Sequence, residues 1–196
     1  MPGLELIRGR VAGYEPVLLS RNPGELEASV ALILHQRPEA ASEILLIERA
    51  VREGDPWSGQ MAFPGGRRSP EDRDVCMTAV RETFEEVGLA LERPIGRLDD
   101  TEGSGALPRN RLVVSCFVFE IGERPGMRHS PEVQDAVWVP LPHLVDPCSA
   151  VEYEFDSDGL GGIFPAVRYR RYTVWGLTYR ILGGFLELLS HPLPSP

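Results

Sequence analysis

Residues 63–88 read FPGGRRSPEDRDVCMTAVRETFEEVG, and this stretch decides the fold. Two adjacent glycines and a polar loop precede three glutamates, Glu82, Glu85 and Glu86, which fall within five positions. Residues three and four positions apart are neighbours on a helix, so these carboxylates share one face. Charges of the same sign repel at this spacing, and the arrangement becomes favourable when a cation lies among them.

The chemistry of this helix face indicates a divalent metal ion. Mg²⁺ prefers oxygen ligands and is commonly held by a few carboxylates together with substrate phosphates. Arg81 directly precedes the glutamates and is able to orient them through paired hydrogen bonds. The adjacent Gly65 and Gly66 allow the backbone to approach an ion or a phosphate closely.

Composition limits the range of functions. A hydrophobic content of 42% in 196 residues is sufficient for one domain with a real core. The formal net charge of -9 repels duplex nucleic acid, so no nucleic-acid partner is expected. A phosphate substrate is still compatible with this charge if a basic patch or a divalent cation reverses its sign locally.

The cysteines and the termini bear on the cellular compartment. Cys76, Cys116 and Cys148 are far apart in the sequence and form no CxxC pair. This pattern disfavours a disulfide framework or a zinc site and predicts buried, reduced thiols in a cytoplasmic protein. The N-terminal sequence has no apolar segment typical of a signal peptide. No apolar run approaches the roughly 20 residues of a membrane span, so no membrane association is expected.

Residues 73–87 predict an amphipathic helix that ends at Gly88, because a glycine after the last helical turn stops a helix. The expected apolar face consists of Val75, Ala79, Thr83, Phe84 and Val87. The opposite face is expected to carry Thr78, Arg81, Glu82, Glu85 and Glu86.

The remaining pattern alternates between apolar runs and polar loops. Strands are predicted at residues 28–35, 43–50, 61–66, 111–121, 136–141 and 170–176. Loops are predicted at residues 51–60, 99–110 and 122–133, and a C-terminal helix at 177–190. Residues 1–27 form a lead-in segment with one short helix, 28–190 a single domain, and 191–196 a tail. Strands with two main helices predict an α/β sandwich around a mixed sheet.

The stretch RETFEEVGL, residues 81–89, resembles the signature of the Nudix hydrolases and matches every fixed position of its second half. The first half departs from that signature. One extra residue separates Gly66 from Arg81, and Asp72 stands where the signature has a glutamate. The resemblance implies a Nudix-type α/β/α sandwich around a mixed β-sheet.

A longer loop with an aspartate at this position is similar to the coenzyme A pyrophosphatase branch of the family. The other segments that resemble this branch are LLIER (45–49), GQMAFPGG (59–66), RLDDTEGSG (97–105), WVPL (138–141) and YTVWGLTYRIL (172–182). The resemblance covers about residues 28–190. Asp55 departs from the branch, which has an arginine four residues before Gly59, and Arg52 is a candidate replacement.

Membership of this family implies hydrolysis of a nucleoside diphosphate linked to another moiety, with Mg²⁺ or Mn²⁺ as the cofactor. By the same resemblance, Glu82 and Glu86 are the expected metal ligands. Glu85 is either a third ligand or the general base. The Gly66 carbonyl oxygen is expected to complete the coordination sphere, and Arg81 to orient the glutamates.

Four further residues are candidates for the base and for substrate contacts. Glu132, in the loop before a predicted strand, is the alternative general base or else a plain surface acid. Arg49 is expected to bind a phosphate or to pair with a nearby carboxylate. Trp57 is expected to stack on the nucleobase or to cover the edge of the core, and Arg52 is a second basic contact.

Coenzyme A, cleaved to 3′,5′-ADP and phosphopantetheine, is the first expected substrate. The alternatives are a nucleotide sugar, ADP-ribose or a damaged nucleotide. A different class of function is a nucleotide sensor that binds without catalysis, which the loss of one of the three glutamates would favour. Dimers are frequent among relatives, so the resemblance also allows a homodimer.

Overall fold

A mixed sheet runs through the centre of the computed structural model. The structure describes residues 2–22, 24–36, 40–54, 57–103, 111–124, 126–156 and 161–196. Within these residues the central sheet contains β1 (Leu26–His35), β2 (Glu43–Arg49), β3 (Met61–Ala62), β4 (Gly65–Arg67), β5 (Gly96–Arg97), β6 (Thr101–Gly103), β7 (Leu112–Ile121) and β8 (Val133–Pro140).

A second, antiparallel sheet and the helices complete the described fold. This sheet contains β9 (Ala150–Phe155), β10 (Gly162–Tyr169) and β11 (Tyr172–Val174). The helices are α1 (Leu4–Ala12), α2 (Val75–Val87), the short α3 (Leu141–Leu144) and α4 (Gly176–Leu188).

The parallel pair of β1 and β7 forms the middle of the central sheet, with Leu26 opposite Leu112 and His35 opposite Ile121. On one side of this pair, β1 pairs with β4 near its start and with β2 near its end. β2 in turn pairs with β8 and β3, and β7 pairs with β5 and β6. The sheet therefore divides beside β1, and this division brings β4 and the end of β2 to the same region as α2.

Successive strand residues point to opposite faces of the sheet, and each face has its own apolar cluster. Ala31 and Ile33 of β1 pack on the side of α2, with Ala79 and Val87. The cluster on the other face joins β1 and β7 to α1 and α4 through Leu32, Leu34, Cys116, Val118, Ile7, Val11, Leu182 and Phe185. The predicted α/β/α sandwich around a mixed sheet is confirmed.

Several predicted elements are confirmed with small changes in their bounds. The runs at 28–35, 43–50, 111–121 and 136–141 correspond to β1, β2, β7 and β8. α2 begins at Val75, two residues after the predicted start, and the C-terminal helix spans Gly176–Leu188. Gly88 has φ 71 and its N–H donates to the Phe84 carbonyl oxygen at 2.9 Å, which ends α2 as predicted.

Other strand predictions were wrong. The single strand at 61–66 is two strands, because Gly65 at φ 151 turns the chain onto β1. The predicted loop at 99–110 contains β6, whose residues pair with β7, and its residues 104–110 lie outside the described part. The strand predicted at 170–176 is only β11, because Arg170 at φ 56 lies in the turn before it. β5, β9 and β10 were not predicted.

The two faces of α2 also differ from the prediction. The Phe84 side chain is 55% exposed, although its position was assigned to the apolar face. Thr78 and Glu86, assigned to the polar face, are buried. The reason is the rotation of the helix about its axis, because the face that meets the sheet consists of positions 78, 79, 83, 86 and 87.

The N-terminal segment and the cysteines add two observations. Ile7 and Val11 of α1 are fully buried in the same cluster as α4, so the segment before residue 28 takes part in the core. The domain boundaries stay predictions. All three cysteines are free, but Cys148 is exposed, so the prediction of buried thiols was wrong for this residue. Among the described helices, none has both the length and the apolar character required to cross a bilayer.

Gly65→Ala is expected to destabilise the protein by about 3 kcal/mol or more, because φ 151 is a conformation nearly restricted to glycine and an added Cβ would collide with the Ser29 carbonyl oxygen. Urea unfolding measures the loss. Gly122→Ala is the control, since nothing lies within 4 Å of an added Cβ there. Equal stability of the two variants would contradict this account of the β4 turn.

Candidate active site

α2 presents the three glutamates at fixed positions because both of its ends are defined. Asp74 caps the start of the helix, where its carboxylate accepts a hydrogen bond from the Met77 N–H at 2.9 Å. The left-handed Gly88 defines the other end. Between these ends, Glu86 faces the sheet, Glu82 lies mostly covered at its edge, and Glu85 is 56% exposed.

Glu86 is a buried carboxyl group beside the backbone of β4. One of its oxygens accepts a hydrogen bond from the Gly65 N–H at 2.9 Å. Burial raises the pKa of Glu86 to about 8, and the charges of Glu82 and Glu132 contribute in the same direction. The Gly65 N–H and the charge of Arg49 oppose the increase. The charges of Glu82, Glu132 and Arg49 therefore all act on the Glu86 carboxyl group.

Glu82 lies directly against the backbone of Gly66. A Cβ added to Gly66 would come within 2.5 Å of the Glu82 Cδ, so only glycine leaves room for this carboxylate. Burial raises the pKa of Glu82, and the neighbouring Arg81 opposes this increase. The two residues predicted to contribute ligand oxygens, Glu82 and Gly66, are therefore in close contact.

Arg81 connects the loop before α2 to the carboxylates. Its Nε and Nη2 each donate to one oxygen of Asp72 at 2.9 Å, in a forked arrangement. Its Nη1 donates to Glu82 at 2.8 Å and to Glu85 at 3.1 Å. Nη2 also reaches the Arg67 carbonyl oxygen at 3.2 Å. One planar cation thus holds two of the glutamates and the chain that follows Gly66.

Asp72 anchors this arginine, a role that the sequence did not reveal. The residue is buried, and its Oδ2 accepts hydrogen bonds from the Ser69 N–H and the Thr78 hydroxyl, both at 2.9 Å. The Arg81 guanidinium holds the pKa of Asp72 well below its usual range. The only signal in the sequence was the place of Asp72, at the position of the signature glutamate.

The residues on this face fit a divalent cation that is also bound by its substrate. In the described ranges, no group of three or more His, Cys, Asp and Glu side chains is arranged to hold a metal ion by itself. Mg²⁺ commonly takes only one or two carboxylates and completes its shell with water and phosphate oxygens. Buried Glu86 and the contact between Glu82 and the Gly66 backbone provide such an incomplete set of oxygens.

Glu132 and Arg52, two further candidates, pair with each other. The Arg52 Nη2 lies 2.9 Å from the Glu132 Oε1, and both side chains are more than half exposed. The Arg52 backbone is held by Ser58, whose hydroxyl accepts from its N–H and donates to its carbonyl oxygen, both at 2.9 Å. The pair lies near the carboxylate cluster, because the charge of Glu132 acts on both Glu82 and Glu86.

Arg49 and Trp57 are the two remaining candidates, and both lie between the end of β2 and the start of β3. Arg49 is the last residue of β2, and its N–H donates to the Gln60 carbonyl oxygen at 3.0 Å. The Trp57 ring stacks on Phe155 at a centroid distance of 6.1 Å and an interplanar angle of 5°. Both rings are half-buried, so stacking on a nucleobase and covering an edge of the core both stay predictions for Trp57. Asp55, the departure from the coenzyme A pattern, lies outside the described residues.

The fold and these residues define a class of protein, and the comparison with known families agrees. The NUDIX domain family matches residues 25–156, so the chain belongs to the Nudix family. Nudix hydrolases generally use divalent metal ions. The match ends one residue after β9, so β10, β11 and α4 lie beyond it.

Particular relatives extend this assignment. A protein of Schizosaccharomyces pombe described as uncharacterized is 41% identical over 122 residues, which cover 58% of this chain and 36% of that protein. The human mitochondrial coenzyme A diphosphatase is 32% identical over 152 residues, which cover 75% of this chain and 63% of that enzyme. The chain therefore spans between about a third and two thirds of the length of these relatives.

A solved structure supports the fold. The crystal structure of a MutT/nudix family protein from Enterococcus faecalis matches with a TM-score of 0.51 at 16% identity, over 96% of this chain and 75% of that one. At this identity the likeness concerns the fold and not the substrate.

Asp72→Asn is expected to lower the free energy of unfolding by about 2 kcal/mol or more near neutral pH, because Arg81 loses its buried carboxylate partner. The pKa of Asp72 is lowered in the folded protein, so the carboxylate stabilises the fold above its unfolded value of about 4 and this contribution decreases as the pH falls. Urea titrations at a series of pH values measure the difference between variant and wild type.

Asp74→Asn is the matched control for this substitution. It removes the same charge two positions away, and asparagine remains a good helix cap. A difference between Asp72→Asn and wild type that grows at acid pH would contradict the assignment, as would equal losses in the two variants.

Proposed function

We propose that the protein is a metal-dependent pyrophosphohydrolase that cleaves a nucleoside diphosphate linked to another moiety, with coenzyme A or its derivatives as the substrate. The observation that carries this proposal is the Arg81 network, which holds Glu82 and Glu85 beside the buried Glu86. A structural helix has no need for two glutamates held by one arginine beside a third that is buried, whereas a reaction at a pyrophosphate needs a cation at this position.

The roles follow from the positions of the side chains. Glu82 and Glu86, with the Gly66 carbonyl oxygen, would hold Mg²⁺ or Mn²⁺. When bound, the ion neutralises charge on the non-bridging phosphate oxygens and activates a water molecule. Arg81 keeps the Glu82 carboxylate turned towards β4 and so fixes its direction before the substrate arrives.

Two carboxylates are candidates for the general base. Glu85 is exposed on α2 and is oriented by Arg81 at 3.1 Å. Glu132 directly precedes β8, is paired with Arg52, and its charge acts on Glu82 and Glu86. A base must lie within hydrogen-bond reach of the attacking water, directly or through one further water. Glu85 and Glu132 both lie close to the expected metal ligands, so either could reach the attacking water directly or through a second water. Both therefore stay candidates.

The basic residues support an anionic, extended substrate. Arg49 and Arg52 lie on the loop side of the glutamates, where they would bind phosphate groups while the ion is held by α2. Coenzyme A carries a pyrophosphate and a further phosphate on its ribose, which suits more than one arginine. The human relative bears the name of a coenzyme A diphosphatase, and this agrees with the segments of the chain that resemble that branch.

Other substrates and a sensor function are the alternatives. A nucleotide sugar, ADP-ribose or a damaged nucleotide contains the same diphosphate and differs only in the group recognised beyond it. A sensor without catalysis is less favoured, since Glu82, Glu85, Glu86 and Arg81 are all present. A homodimer and a cytoplasmic location remain predictions, and the name of the human relative is that of a mitochondrial enzyme.

Wild-type protein with Mg²⁺ or Mn²⁺ is expected to release 3′,5′-ADP and phosphopantetheine from coenzyme A, while Glu86→Gln loses at least about 100-fold in kcat because a ligand carboxylate is removed. Chromatographic product analysis measures both reactions. Glu92→Gln is the matched control, since Glu92 is an exposed glutamate just after α2.

The same assay includes ADP-ribose, a nucleotide sugar and a nucleoside triphosphate. Turnover of one of these compounds instead of coenzyme A would show that the substrate is a different compound. The proposed class of reaction, hydrolysis of a pyrophosphate bond, would still hold. Nucleotide binding without turnover of any compound would favour the sensor.

Gly66→Ala is expected to raise the Mn²⁺ concentration needed for half-maximal activity and to lower kcat about 10- to 100-fold, because its Cβ would displace the Glu82 carboxylate. Steady-state kinetics at varied Mn²⁺ measure both effects. Gly126→Ala is the control, since nothing lies within 4 Å of a Cβ at that position. An unchanged metal requirement in Gly66→Ala would remove Glu82 and Gly66 from the metal site.

A further inference from the structure

Two carboxylates of the central sheet face each other at the end of β2. Glu48 on β2 lies directly opposite Asp135 on β8 in the antiparallel pair. Like charges in this position destabilise a sheet unless a cation lies between them. Arg171, in the turn between β10 and β11, supplies that cation.

Arg171 clamps the two acids with its planar guanidinium. Its Nη1 lies 2.9 Å and its Nη2 2.6 Å from the two oxygens of Glu48, and Nη2 also lies 2.9 Å from the Asp135 Oδ2. The Tyr172 hydroxyl donates to the same Asp135 oxygen at 2.7 Å. Tyr172 and Arg171 hold the pKa of Asp135 below its usual value. The second sheet is thereby tied to β2 and β8.

Glu48, which Arg171 holds, directly precedes Arg49 in β2, and the two side chains lie on opposite faces of the sheet. Neighbouring strand residues point to opposite faces, so Glu48 lies on the face of the second sheet while Arg49 points towards α2, where its charge acts on Glu86. The register shifts between them: Glu48 pairs with Asp135, but Arg49 pairs with Val133. The extra residue, Gln134, is on β8, so β2 keeps its alternation while the bulge changes the direction of β8. Bulges of this kind are frequent beside active sites.

The same bulge determines the position of Glu132. The Ala50 N–H donates to the Glu132 carbonyl oxygen at 2.8 Å, which is the next contact between the two chain segments after the bulge. The Glu132 side chain then pairs with Arg52 at 2.9 Å. The clamped acids, the bulge and the polar residues at the open side of the site therefore follow one another along two adjacent strands.

We propose that Arg171 is a positioning residue for the hydrolytic reaction, which holds Glu48 against Asp135 on one face of the sheet and thereby aims Arg49 and Glu132 at the substrate on the other. This inference rests on the proposed function. It assigns a task to the hairpin of β10 and β11, which lies beyond the residues matched by the family.

The test is a double-mutant cycle with steady-state kinetics on coenzyme A, or on whichever diphosphate the wild type hydrolyses. Arg171→Met is expected to raise KM about tenfold, because a misdirected Arg49 no longer reaches the substrate phosphate. In the background of Arg49→Met, the same substitution is expected to change KM less than about twofold, because position 49 no longer carries a guanidinium that can bind the substrate phosphate. Arg168→Met is the matched control, because Arg168 is an exposed arginine in β10, three residues from Arg171.

The outcomes distinguish a failure of the positioning role of Arg171 from a failure of the proposed hydrolytic function. Additive effects of Arg171→Met and Arg49→Met in an active enzyme overturn the positioning role alone. A wild type that hydrolyses no diphosphate overturns the proposed function and this inference with it.

A second variant covers the case in which Arg171→Met fails to fold. Arg171→Lys keeps the positive charge between the acids but lacks the planar fork, so it is expected to fold and to raise KM about threefold. An unchanged KM in folded Arg171→Lys, shown by an unchanged thermal transition, would mean that Arg171 has only a structural role.

Discussion

The forked ion pair between Arg81 and Asp72 is the constraint on which the site depends. Asp72 is fixed by the Ser69 N–H and the Thr78 hydroxyl, so the guanidinium has one orientation and reaches Glu82 and Glu85 from it. Without this cation, carboxylates on one helix face would repel one another and turn towards solvent. The pair therefore converts an unfavourable cluster of charges into an ordered set of carboxylate oxygens.

The sheet holds the same cluster from the other side. Because β1 pairs with β4 near its start and with β2 near its end, the backbone of Gly65 and Gly66 and the side chain of Arg49 approach α2 together. Glu86 lies between helix and sheet, where burial makes its charged form costly unless a cation is near. The site is thus a product of the packing between α2 and the divided sheet, and the family match is consistent with this geometry.

Local sequence patterns predicted the parts of the fold that depend on neighbouring residues. Helical spacing and Gly88 defined α2, and the charge cluster identified the three glutamates before their surroundings were known. The exposure of Phe84 was not predictable, because the packed layers determine which face of the helix meets the sheet. The pairing of Arg52 with Glu132 and of Arg171 with Glu48 joins residues 80 and 123 positions apart, and no local pattern encodes such contacts.

The most direct test of this account measures Mn²⁺ binding by electron paramagnetic resonance, in wild-type protein and in Arg81→Met, with both variants shown to be folded by circular dichroism. If Arg81 arranges the carboxylates for a cation, the wild type binds Mn²⁺ and the variant loses at least about tenfold in affinity, as expected when a residue that orients ligands is removed. Equal affinity of the two proteins, or no binding by the wild type, would contradict the central claim that this arginine prepares a metal site.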